Sequence, residues 1–411
     1  MVLCYSGAGS KLTLLFHPIQ PQHPAMLPIA GAIPLRVNAG ERMKSKNWMT
    51  TTAASAAVVC LAGIILARHA QAQETKEKVM VDDVERTYLL RLPRGYDSTH
   101  KYPVVILLHG MNQDTDDMER LTRFNELADK NLVIAVYPSA LRGRWNIGVT
   151  PPARQSMMRP GGSRGGHRGG YGGGGYPGGG GGYPGGGGGY PGGGQSGGQG
   201  RNEEANKPAP ADDVDFLNQM LDQIATKASV DSARIYATGL SEGGFMAMRV
   251  GCALADRVAA VAPVGAAMPK TMICLPSRPV PIVMINGTSD PVVPHGGGTE
   301  HNLQLPVISV EDTAKAWAKI DRCAEKPAQS KLPAREKGGM ETKVQTYDGC
   351  QQGAQVISYS IKGAGNTWPG GEQYQVEKEV GKTSQDLNAN ETIWSFLVTK
   401  KLAAQSADST H

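Results

Sequence analysis

Gly239-Leu240-Ser241-Glu242-Gly243-Gly244 lies between two stretches of opposite character. Before it, Arg234-Ile235-Tyr236-Ala237 reads as a short strand, and after it Phe245 to Ala253 reads as a helix. Gly-x-Ser-x-Gly between a strand and a helix predicts a sharp turn that lifts the serine above a sheet in a strained conformation. Small residues on both sides let strand and helix pass closely, and the backbone N–H of Glu242 faces a reacting carbonyl. The alternative is a serine in an ordinary strand-to-helix turn.

Outward from this turn, strands and helices alternate. Tyr102-Pro103-Val104-Val105-Ile106-Leu107-Leu108 is a continuous apolar run, the pattern of a strand buried on both faces. Leu132–Val136, Val258–Val264 and Val280–Ile285 read the same way, and Arg86–Pro93 reads as an edge strand stopped by proline. Helical periodicity covers 116–130, 213–225, 309–321 and 387–402. Such alternation predicts an α/β fold with a mainly parallel sheet covered on both faces.

Two further stretches carry chemistry. His109-Gly110-Met111 follows the buried run 102–108, where the chain begins a loop that gives a second oxyanion donor; the backbone N–H of Met111 is assigned to it. His109 itself reads as a turn marker rather than a base. Asp290, in Asn286-Gly287-Thr288-Ser289-Asp290-Pro291, follows the run 280–285 and suits a carboxylate that orients a base. The alternative is an Asp-Pro turn initiator.

With these stretches in view, the chain resembles secreted esterases typified by polyhydroxybutyrate depolymerases, with feruloyl and acetylxylan esterases of carbohydrate esterase family one type as relatives. The resemblance is carried by Arg86–Gly110, Asp212–Pro269, Pro279–Gly298, Trp317–Cys323 and Tyr347–Gly371. It implies an α/β-hydrolase fold with Ser241 and Asp290 in a catalytic triad. The last motif in such proteins reads Gly-x-Gly-His-x-Trp-Pro-Gly. Here 363–370 read Gly-Ala-Gly-Asn-Thr-Trp-Pro-Gly, so Asn366 stands in the histidine's place. An asparagine can hydrogen-bond but cannot take and return a proton near neutral pH. His295, five residues after Asp290, is the first candidate substitute, and His301 and His167 follow it.

The rest of the chain bounds the setting. Its 411 residues carry a formal net charge of +5, too mild to indicate a nucleic-acid partner or a membrane surface. Met43-Lys44-Ser45-Lys46, the apolar stretch Ala53–Ala67 and Ala70-Gln71-Ala72 form the layout of a signal peptide over 43–72. Translation is then expected to begin at Met43, with 1–42 an over-extended start; a membrane anchor is the alternative. Export leaves Cys252, Cys274, Cys323 and Cys350 in the mature chain. An even count reads as disulfides, and three pairings are formally open. Proximity favours Cys252–Cys274 and Cys323–Cys350, and the resemblance supports the same pairs. No zinc spacing, phosphate loop or nicotinamide fingerprint is present, so neither a metal nor a cofactor is expected.

One domain over 73–411 is expected, interrupted by a glycine-rich insertion at 155–205. Tyr-Pro-Gly-Gly-Gly-Gly-Gly occurs at 176–182 and again at 183–189. Glycine at that density predicts disorder. Three functions follow as alternatives: a secreted serine esterase acting on polyhydroxyalkanoate or acylated polysaccharide, an impaired pseudo-esterase that binds such a polymer, and a surface protein working through its glycine-tyrosine tract.

Overall fold

In a computed structural model, the structure describes residues 72–149 and 212–403. The leader, the start at Met43, His167 and the glycine-rich tract lie outside these residues. The elements run β1 Gln73–Val81, β2 Val84–Leu92, β3 Tyr102–Leu108, α1 Thr115–Thr122, α2 Phe124–Asn131 and β4 Ile134–Pro138. Then come α3 Asp213–Lys227, β5 Val230–Leu240, α4 Glu242–Ala253, β6 Ala260–Val264 and β7 Ile282–Gly287. A short ribbon follows, β8 Gly298–Thr299 with β9 Pro306–Val307, then α5 Val310–Ile320. The chain closes with β10 Ala328–Leu332, β11 Thr342–Tyr347, β12 Val356–Ile361, α6 Glu377–Val380 and α7 Ala389–Leu397.

Ten strands form one sheet in the order β1-β2-β4-β3-β5-β6-β7-β12-β11-β10. The six from β4 to β12 are parallel, and antiparallel strands flank them at each end. Strand period divides the apolar runs between two layers. Val104, Ile106 and Leu108 join a core with α3, α4 and α5, while Val105 and Leu107 join one with α1, α2 and α7. A run apolar at every position, as β3 is, can satisfy both layers at once. This strand order, with a strand–serine–helix turn at β5–α4, is an α/β-hydrolase fold.

Three expectations need correction. Arg86–Pro93 is not the edge: β1 pairs outside β2 in a hairpin turned by Asp82 and Asp83, both at positive φ. Gln73, Glu74, Lys76 and Lys78 make β1 too polar to read as a strand, yet charge is what keeps an exposed edge from pairing further. The periodic stretch 116–130 is two helices, broken at Arg123 (φ 50°), whose N–H caps α1 on Glu119 O. The strand expected at 132–136 begins at Ile134, because Leu132 takes φ 56° to end α2.

The two ends of the chain bordering the glycine-rich tract are tied together. Buried Asp213 accepts from Arg86 Nη2 at 2.5 Å and from Asn146 N–H at 2.6 Å. Arg249 donates to Asn146 O and pairs with Asp212 Oδ1 at 2.8 Å. The Arg86 guanidinium also lies 4.1 Å from the centre of the Phe216 ring. Burial pushes the Asp213 carboxyl up, and Arg86 opposes it. Breaking one side of so buried a pair costs roughly 3–5 kcal/mol.

Candidate active site

Ser241 has φ 56° and ψ −116°, the strained geometry the glycine pattern predicts. Its N–H donates to Val264 O at 2.9 Å, which anchors the turn to β6. The flanking glycines are sterically required. A Cβ on Gly243 would lie 2.1 Å from Leu108 O, and one on Gly239 would lie 2.5 Å from Gly243 O. The elbow therefore packs directly on the end of β3, beside the loop that carries Met111.

His109 holds that loop. Ala140 N–H donates to His109 Nε2 at 3.0 Å, so Nε2 is the acceptor and Nδ1–H donates to Gly110 O at 2.8 Å. Burial holds the ring's pKa below its usual value, consistent with a neutral tautomer. Trp145 Nε1–H donates to His109 O at 2.8 Å, and the two rings lie 5.1 Å apart. His109 is thus a structural residue with both ring nitrogens engaged.

Asp290 is buried in the loop after β7. Its Oδ1 accepts from the N–H groups of Val292 (2.8 Å) and Val293 (2.7 Å). Its Oδ2 accepts from Asn366 Nδ2 at 2.7 Å. Burial pushes this carboxyl up to about 7 against those three donors. Asn366 follows β12 and is fully buried. Its Nδ2 also donates to Gly265 O at 3.0 Å, its N–H to Val380 O at 2.6 Å, and its carbonyl accepts from Tyr374 Oη at 3.0 Å. Both acceptors near Nδ2 fix the amide's orientation, and Oδ1 is left buried without a partner. Gly365 permits the close pass, since a Cβ there would lie 2.0 Å from Val380 O.

Ser241, Met111 and Asn366 line one cleft of about 610 Å³ with Asn112, Gln113 and Tyr374. Among the described histidines, His301 lines this cleft. His295 does not; its Nε2 lies 2.9 Å from Ser360 Oγ. The Glu242 side chain points into the fold, where Oε1 accepts from Arg144 Nε at 3.1 Å. Burial pushes that carboxyl up to about 7, with Arg144 opposing. Tyr374, Gly265 and the cleft-facing stretch of α6 carried no motif in the sequence that marked them.

Cys252 is bonded to Cys274, and Cys323 to Cys350, with Cα atoms 5.0 and 3.7 Å apart. Among the described residues no cluster of three or more His, Cys, Asp or Glu is poised to hold a metal, and no helix is long and apolar enough to cross a membrane.

Similar proteins agree with the resemblance read from the motifs. No protein-family model matches the chain. It is 26% identical over 340 residues to "Putative esterase NocK" of Nocardia uniformis subsp. tsuyamanensis, covering 80% of this chain and 84% of that protein. It is 36% identical over 163 residues to feruloyl esterase B of Piromyces equi, covering 38% of this chain but 29% of that one. Among solved structures, the acetyl xylan esterase from Aspergillus awamori matches with a TM-score of 0.45 and 11% identity, over 79% of this chain and 99% of that one. The curated relatives named here are esterases.

Proposed function

We propose that this chain is an exported serine esterase in which Asn366 replaces the triad histidine and holds turnover low. The observation that carries this is the shared cleft: Ser241 on a strained elbow, Met111 beside it, and Asn366 bonded to Asp290. Ser241 Oγ attacks the ester carbonyl, and the N–H groups of Met111 and Glu242 receive the oxyanion. Asp290 holds the residue at position 366 in place, as it would hold an imidazole. The polar lining of Asn112, Gln113, Asn302 and Gln375 favours an acylated polysaccharide over a polyester. The relatives' esterase names fit this reading, and the two disulfides fit an extracellular setting.

A second reading, a binding protein without turnover, is favoured by one observation. The Asn366 amide donates to Asp290 and Gly265 and offers no basic nitrogen. Ester turnover by the purified protein beside Ser241→Ala separates the two. Slow turnover lost in Ser241→Ala supports the esterase, and turnover unchanged by Ser241→Ala sinks it.

A further inference from the structure

A serine esterase needs a group that accepts the serine proton and returns it to the leaving alkoxide, and Asn366 has none. Resting on the esterase reading above, the search for that group narrows to the described histidines: His100, His109, His295 and His301. His100 is exposed and pairs with Asp97 at 3.3 Å, outside the cleft. His109 is buried with both ring nitrogens engaged. His295 faces Ser360. His301 lines the cleft together with Ser241 and Asn366.

The turn that carries His301 is built rather than loose. His301 N–H donates to Val292 O at 2.9 Å, and Val292 N–H in turn donates to Asp290 Oδ1. Glu300 is buried and accepts from the N–H groups of Asn302 (2.9 Å) and Leu303. Gln304 takes φ 54° and its Nε2 donates to His301 O at 2.6 Å. Burial pushes the Glu300 carboxyl up, and the neighbouring His301 opposes it.

We propose that His301 is the proton-transfer group of this site. As the Ser241 Oγ–C bond forms, the Oγ proton passes to His301, directly or through one water, and the carbonyl electron pair moves onto oxygen. Collapse of the adduct re-forms the carbonyl from the oxyanion's pair and breaks the bond to the alcohol oxygen, which leaves with the pair of that C–O bond and takes the proton back from the imidazolium. Water then repeats both transfers and releases the acid.

The test is hydrolysis of 4-nitrophenyl acetate by the purified protein, with Ser241→Ala as background. His301→Ala should lower kcat by about 10²-fold or more while KM stays within a few-fold, since general base catalysis contributes ~10²–10⁴. Added imidazole should return part of the loss above the Ser241→Ala background, which a packing role would not allow. Adding Asn366→His to His301→Ala should also return turnover. The proposal is overturned if His301→Ala keeps kcat within threefold of the parent while Ser241→Ala abolishes it. It is overturned equally if His295→Ala, or Lys378→Ala in the cleft-lining stretch of α6, takes the rate away instead, or if Asn366→His cannot restore the His301→Ala protein. A parent with no Ser241-dependent turnover sinks the esterase reading itself, and His301's role with it.

Discussion

Asn366 donates its amide to Asp290 across 2.7 Å, Nδ2 to Oδ2, and to the Gly265 carbonyl at 3.0 Å. The amide reproduces the half of an imidazole that a triad carboxylate holds. The amide's other end, Oδ1, is buried without a partner, and a carbonyl oxygen cannot take a proton near neutral pH.

Asn366→His should therefore raise kcat by roughly 10²–10⁴-fold, because Ser241, Met111 and position 366 already line one cleft and Asp290 is bonded to position 366. Steady-state ester hydrolysis checks it, and Ser241→Ala in the same background should remove the gain. No Ser241-dependent turnover in either the parent or a folded Asn366→His protein would count for the binding-protein reading.

Asp290 titrates near 7 in the folded chain because burial outweighs its three donors. The unfolded carboxyl titrates near 3.9. Between these values the folded state binds more protons than the unfolded one, so stability falls as pH rises. The contribution is fully present below about pH 4 and lost by pH above 7. Melting temperature against pH should show this decline, and Asp290→Asn should flatten it. Asn366→His should flatten it too, since an imidazolium favours the charged carboxylate.

The elbow predicts a trade between stability and chemistry. Serine at φ 56° and ψ −116° costs on the order of 1–3 kcal/mol, and glycine relieves most of this. Ser241→Gly should raise the melting temperature by about 2–4 °C while abolishing turnover. Gly243→Ala should do the reverse damage and fail to accumulate folded protein, since the added carbon meets Leu108 O at 2.1 Å.

Each disulfide closes a loop with a sequence separation of 22 or 27 residues. Replacing either pair with serine should cost about 2–4 kcal/mol, measured by denaturant unfolding. Peptide mapping of exported protein should find no free thiol at the four positions.

How far the sequence could be read depended on which force shaped each segment. The runs 102–108 and 280–285 are buried on both faces, so hydrophobicity alone marked them. The elbow was legible because only glycine fits at 239 and 243. β1 and β10 were not legible: their side chains are mostly exposed, and backbone pairing with β2 and β11 holds them. At the site, Asn366 and Asp290 could be placed from their motifs. His301 could not be ranked above His295, because which of the two lines the cleft depends on the ribbon β8–β9 and on Glu300. Neither has a periodic signature.

Arg86, Arg249, Asn146 and Asp213 bind the borders of the stretch from 150 to 211 to one another. The borders thus form a fastened stem, held at the sheet by β2, α3 and α4. A copying slip in the Tyr-Pro-Gly repeat should therefore change the number of residues between the borders without shifting β4 or α3. The same stem makes this stretch a splice point for an engineer: a tag or a carbohydrate-binding module inserted there would ride on the hydrolase as cargo.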